Sequence, residues 1–425
     1  MRVKARLSTV AIMAVVAAGL AFGGGAPETE QGETQVIDIY WNPDHLYGVY
    51  EEVIAQFAAE YNLEVNMQVF NWNDFRAKLN ADFAAGTVPD LIEVPSPWIA
   101  EFASLGSLVD LTEEIRGWDE SEDWFESTWI EVSNDDRLYG MKLHHTAFGL
   151  FYNVDHFAAA GVEPPTTLAE LERVIDAIDS VLGPEVTAFG FDPTGQYLVP
   201  FLASTETPYL IEDGQVAIDT PAVRETLRRL QTIARSGKVI IPDPGGEEAR
   251  TNVRQLFFAG QLSMMISGPW EIGNIRNNFP DLNYSVAMIP SLEGVDGLTL
   301  TAGVGLAIPE GGDVDPALVF ELMQRLTALD VEVAATLEAG MLMPRVSWAD
   351  DPRVQDDATV QLFGPILPQA VPFDIDVRKL GLPEITGGGP VFRRLYQTMI
   401  YTDLDMDAAL DEYIREANRL ISATQ

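Results

Sequence analysis

The 425-residue chain contains no cysteine. That excludes disulfide bridges, thiol nucleophiles, cysteine-held zinc and lipid attachment through a cysteine. Basic residues are scarce: 26 lysines and arginines stand against 65 acids, for a net charge of −39. Lysine occurs only at Lys4, Lys78, Lys142, Lys238 and Lys379. So acidic a surface repels phosphate backbones, and no nucleic-acid partner is expected. Most of the acids read as a solvated surface; acid-rich, lysine-poor surfaces also suit high salt. Histidine is limited to His45, His144, His145 and His156, without a His-Glu-x-x-His pattern, so neither a metal nor a cofactor is expected. Asp403-x-Asp405-x-Asp407 starts like a calcium loop, but Ala408 and Ile414 stand where glycine and glutamate are required. Gly-x-Ser-x-Gly, a phosphate loop and internal repeats are also missing.

What is there begins at the N-terminus. Arg2, Lys4 and Arg6 precede an apolar run from Leu7 to Phe22, with small residues at Ala21 and Gly23. This is the pattern of a secretory signal peptide, placed at residues 1–23, and the run is short for a bilayer span. Residues 24–35 are polar and read as a flexible tether. A secreted, periplasmic or extracellular location follows.

The length favours two domains or lobes. Val36 to Trp41 reads as a strand, Val49 to Tyr61 as a helix, Leu63 to Phe70 as a strand, Phe75 to Ala85 as a helix, and Leu91 to Val94 as a strand. That order argues for a parallel α/β sheet. Asp110–Glu113 and Thr167–Glu170 have capping-box spacing, and Pro221 opens a helix to Arg235. The tail from Asp407 to Ile421 is helical in pattern. Crossovers between lobes are expected at 143–153, near 298–308 and near 344–352. They give an N-lobe of 36–145 plus 300–345 and a C-lobe of 146–299 plus 346–425.

The densest signal is Leu256 to Trp270. Gly260 stands where a helix C-cap needs a left-handed backbone, and Leu262 to Ile266 reads as a buried strand. Ser267-Gly268-Pro269 ends that strand and presents Trp270. This segment resembles the helix–Gly–strand–Gly-Pro-Trp element of carbohydrate-binding proteins that feed ABC importers. Four other stretches resemble the same group: Phe75–Asp90, Tyr139–Thr167, Gly303–Pro309 and Gly340–Arg345. The resemblance implies an extracytoplasmic solute-binding protein, maltose-binding-protein-like, with the two-lobe type 2 periplasmic α/β fold. Each lobe would be a mixed sheet flanked by helices, with a sugar between them, hinge closure, permease subunits as partners, a monomeric state and no catalysis. Many relatives carry a lipid-modified cysteine after the signal segment; here there is none.

A sugar site needs stacking aromatics and polar groups that pair with hydroxyls. Trp270 leads, with a hinge-side core tryptophan as the competing reading. Trp41 with Asn42, Trp72, and Trp98 follow strands, where open α/β sheets gather ligands. Asp44 and Glu101 are hydroxyl acceptors by type, and Glu271 is either an acceptor or a helix-start acid. His144 and His145 lie on the first crossover, where alternation turns one toward the cleft; a hydrogen-bonded buried histidine is the alternative. Gly303 would let backbone approach a ligand. Arg345 would touch ligand or, preferably, hold a carboxylate of the protein.

Two rivals remain at this level. A secreted glycoside hydrolase would use paired carboxylates at the strand ends of a barrel, but the elements do not form eight repeated units. The same fold with a polyamine would need several cleft carboxylates. With a phosphorylated solute it would need a basic cluster, for which Arg345, Arg378 and Lys379 are the only candidates. The aromatics favour a neutral mono- or oligosaccharide.

Overall fold

The computed structural model describes residues 34–424 apart from 206–209, 244–246, 294–298, Asp374 and 387–388. The signal segment, and the tether up to residue 33, lie outside the described residues.

Two sheets organise the chain. In chain order their strands are β1 (Gln35–Trp41), β2 (Leu63–Val69), β3 (Leu91–Pro95), β4 (Met141–Ala147), β5 (Gly149–Asn153), β6 (Thr187–Gly190), β7 (Val239–Ile240), β8 (Leu262–Ser267), β9 (Tyr284–Ala287), β10 (Thr299–Ala307) and β11 (Ala370–Val371). The first sheet runs β11–β10–β3–β1–β2, with β4 on the other side of β10. Strand β1 is parallel to β2 and β3, and β10 is antiparallel to β3 and β4. The second sheet runs β7–β6–β8–β5–β9, with β8 parallel to β6 and antiparallel to β5. Each sheet is thus parallel except where a crossing strand runs back through it.

Local chemistry explains the elements. Helix Leu168–Leu182 starts at a true capping box, Thr167 with Glu170, and buries Leu168, Leu171, Val174, Ile175 and Ile178. Helix Pro221–Arg235 has Thr220 as N-cap and proline in its first turn. Gly86 and Gly260 carry the positive φ that ends a helix. Two expectations are corrected. Asp110 and Glu113 form no capping box: Asp110 instead accepts from the backbone N of Thr112 in a local turn, and the helix starts at Thr112. Helix 72–85 begins three residues before the expected Phe75, because Asn71 caps it through the backbone N of Asp74. Trp72 therefore sits in a helical first turn, not in a loop.

The acidic run near the C-terminus is neutralised within the fold. Arg235 meets Asp403, Arg228 meets Asp407, and Arg224 meets Asp411, so helix Pro221–Arg235 is tied to the start of helix Met406–Thr424.

Candidate functional site

The chain passes from the first sheet to the second at Phe148, between β4 and β5. Ala147 pairs with Thr301 on β10, and Gly149 pairs with Ser267 at the end of β8. The carboxyl ends of the parallel strands in both sheets therefore converge on this crossing, where ligands gather in open α/β folds. Thr299 binds the crossing from the return strand: its hydroxyl donates to the carbonyl of Phe148 at 2.8 Å and accepts from its backbone N.

On the first sheet, Asn42, Asp44, His45, Trp72 and Trp98 follow β1, β2 and β3. Trp72 and Trp98 are half-buried and meet edge to face, 6.1 Å between ring centroids. Trp72 stacks on Phe75, which fixes its plane. The Arg76 guanidinium lies 4.9 Å over Trp98 and pairs with Glu101, leaving Glu101 Oε2 buried without a hydrogen-bond partner among the described residues. Asp44 is exposed. Asn42 is buried and committed to the fold: its backbone N donates to Glu93, its amide donates to the Phe70 carbonyl, and its Oδ1 accepts from Asp44. Glu93 and His45 were missed by sequence reasoning. Glu93 is fully buried on β3 and holds His45 Nδ1 at 2.9 Å, setting the ring beside Trp72. A glutamate in a four-residue apolar strand run was the available signal.

On the second sheet, Trp270 opens helix Trp270–Asn278 directly after β8. Its ring lies edge to face with Phe148, 5.6 Å away, so it stands at the crossing. Its indole N donates to Glu271 Oε1 at 2.9 Å, and that oxygen also takes Ser267 Oγ at 2.6 Å and Arg254 Nε at 2.7 Å. Glu271 is buried and serves as the indole's anchor. Gly268 is required beneath it, because a Cβ there would fall 2.2 Å from the Trp270 ring. Tyr197 also meets Phe148 edge to face, 5.2 Å between ring centroids.

Several candidates sit elsewhere. Trp41 is a core residue: alternation along β1 turns it with Ile37 and Ile39 beneath helix Gly48–Tyr61, where it meets Tyr50. His144 and His145 are both fully buried. A bulge at Leu143 shifts the register of β4 against β10. His144 bonds Tyr50 Oη at 2.8 Å, and His145 bonds Lys142 at 2.9 Å. Burial holds both imidazoles well below the usual histidine range; the cation of Lys142 adds to this at His145. Gly303, at φ 133°, serves sheet packing, since a Cβ would lie 2.1 Å from the His144 carbonyl oxygen. Arg345 is buried and structural: it meets Glu120 at 2.6 Å, donates to the Thr327 carbonyl and lies over Trp118 and Trp124. Among the described residues, no group of three or more His, Asp or Glu side chains is placed to hold a metal ion.

The comparisons agree with this architecture. A Brucella abortus (strain 2308) protein that carries the provisional name of a binding protein is 31% identical over 265 residues, 60% of this chain and 62% of that one. The chain thus spans about three fifths of the length of these curated relatives. The arabinooligosaccharide-binding protein of Bacillus subtilis (strain 168) is 23% identical over 65% of this chain and 64% of its own. Among solved structures, the GacH receptor of Streptomyces glaucescens, determined unliganded and with acarbose, superposes with a TM-score of 0.79 at 20% identity, over 92% of this chain and 99% of that one. That likeness establishes the two-lobe type 2 periplasmic binding protein fold. Residues 42–328 match the family described as bacterial extracellular solute-binding protein, and the chain belongs to that family.

Proposed function

We propose that this chain is the extracytoplasmic ligand-capturing component of an ABC importer, and that it takes a neutral mono- or oligosaccharide between its lobes. One observation carries the reading: Trp72, Trp98 and Trp270, all half-buried, stand at the carboxyl ends of parallel strands from two sheets that converge on one crossing. Aromatic faces match the C–H faces of a pyranose or furanose, and the exposed Asp44 offers an acceptor for hydroxyls. Family membership and a relative named for arabinooligosaccharides support the ligand class. Capture is followed by hinge closure and docking of a monomer on membrane permease subunits, without chemistry on the ligand. Cleavage near Gly23 frees the mature chain, which has no cysteine for a lipid anchor.

The test is a thermal-shift screen of the mature chain against neutral saccharides, beginning with arabinotriose and maltotriose, and against sugar phosphates and polyamines. A ligand at a hundredfold excess over its Kd adds about 2.7 kcal/mol. A shift with a saccharide and no product formation supports the reading. A shift only with an anion or polyamine overturns the ligand class, and turnover of a saccharide overturns the binding role.

A further inference from the structure

The ligand site described above leaves one costly group unused. Lys142 on β4 and Glu131 at the end of helix Glu126–Glu131 are an ion pair at 2.5 Å with both side chains almost completely buried. The pair does not stand alone. Lys142 also donates to His145 Nδ1 at 2.9 Å and reaches Thr301 Oγ1 at 3.3 Å. Thr301 donates to Glu131 Oε1 at 2.8 Å. Glu131 Oε2 accepts from the hydroxyl of Ser96, which itself lies 3.4 Å from the Gly303 carbonyl.

The membership of this network is specific. Ser96 is the first residue of the helix that carries Trp98 and Glu101. His145 and Lys142 lie on β4, which leads into the crossing at Phe148, and Thr301 and Gly303 lie on β10, which returns from it. The network is the buried polar junction between the ligand-wall helix and both strands that run between the sheets. Burial of a lone ion pair costs more desolvation than its attraction recovers, and an apolar pair of similar volume packs as stably. Buried polar networks that are fully satisfied fix one geometry instead of many.

We infer that Lys142 and Glu131 are positioning residues for ligand capture: they lock the Trp98 helix to the two crossing strands, so that a ligand seated on that helix engages the hinge. The inference rests on the saccharide-binding reading above. Neither residue touches ligand. Their effect passes through Ser96 to the helix and through His145 and Thr301 to the strands.

The experiment compares the parent chain with Lys142→Met/Glu131→Leu and with Ser96→Ala, which cuts only the link to the Trp98 helix. The probe is whichever of arabinotriose or maltotriose shifts the parent's melting midpoint more. Each protein is measured for its own melting midpoint, its Kd by calorimetry, and its change in radius of gyration at saturating probe. The expected result is a midpoint within a few degrees of the parent, a Kd weakened roughly tenfold or more, and a reduced scattering change on binding. An unchanged Kd in Ser96→Ala overturns the inference, and does so even where the double variant fails to fold. A parent that responds to no saccharide sinks the ligand reading, and the inference falls with it. That failure is distinct from a parent that binds and a variant that binds equally well.

Discussion

Trp270 and Glu271 are neighbours in sequence and hydrogen-bonded in space: the indole N–H donates to Glu271 Oε1 at 2.9 Å. Consecutive helical residues do not face each other, so the contact exists because the Trp270 ring folds back over Gly268. Arg254 and Ser267 hold the same oxygen, so the acceptor of the indole N–H is itself fixed in place. Glu271→Ala should cost about 1–3 kcal/mol by stranding buried donors. It should also weaken saccharide binding, because the indole loses its fixed plane. Urea unfolding and calorimetry on the same variant separate the two effects. Trp270→Ala should weaken binding roughly tenfold or more with a smaller loss of stability. Parent-like affinity in Trp270→Ala would remove it from the site.

Two glycines make a sharper test of geometry. A Cβ at Gly268 would strike the Trp270 ring, and one at Gly303 would strike the His144 carbonyl oxygen. The ring can swing; the backbone cannot. Gly268→Ala should therefore fold with a modest stability loss, of about 1–3 kcal/mol for overpacking, and lose affinity. Gly303→Ala combines the clash with a φ of 133° and should be the more destabilising of the two in urea titration. Equal melting midpoints for the two variants would contradict this placement.

Stability should fall on mild acidification. His144 and His145 are fully buried and held neutral, with affinities for protons well below the usual range. The unfolded chain binds protons at these sites near pH 6.5, the native chain only at much lower pH. Their contribution is therefore present above about pH 6.5 and drains away as pH falls below it. The urea midpoint should drop between pH 7.5 and pH 5.5, and His144→Asn should flatten that slope. A slope unchanged by the substitution would mean that the parent's loss arises elsewhere.

Glu332 should act with the opposite sign. It is fully buried, neither oxygen has a hydrogen-bond partner among the described residues, and burial raises its carboxyl well above the usual range despite Arg345 nearby. A raised acid is favourable below the unfolded value of about 4.3 and loses its contribution as pH rises toward the folded value. Glu332→Gln should therefore gain stability relative to the parent as pH increases from 4 to 7.5. A difference independent of pH would show that Glu332 does not titrate abnormally.

Salt should stabilise the chain. The surface pairs of Arg224, Arg228 and Arg235 with Asp411, Asp407 and Asp403 each contribute little, because solvent screens them. Repulsion within a net charge of −39 acts across the whole surface and is screened by salt. Raising sodium chloride from about 10 mM to about 500 mM takes the screening length from roughly 30 Å to a few ångströms. The melting midpoint should rise. A fall would mean that the pairs outweigh the repulsion.

The sequence by itself determined the periodic and the punctuated features. The strand and helix order from Gln35 to Pro95, the Thr167–Glu170 cap, the Pro221 helix start and the Gly260–Trp270 segment depend on neighbours within a few residues, so local pattern suffices. Trp72, Trp98 and Trp270 were legible as site candidates for the same reason: each stands just past a strand. Tertiary structure decided the rest. Trp41 went to the core because the face of β1 it shares with Ile37 and Ile39 packs on a helix. The bulge at Leu143 set where Lys142, His144 and His145 point, and no local pattern announces a bulge of that kind. Glu93 with His45 and Lys142 with Glu131 are separated by 48 and 11 residues. A charge reads as surface in sequence, and only the partner that folding brings to it makes burial affordable in free energy.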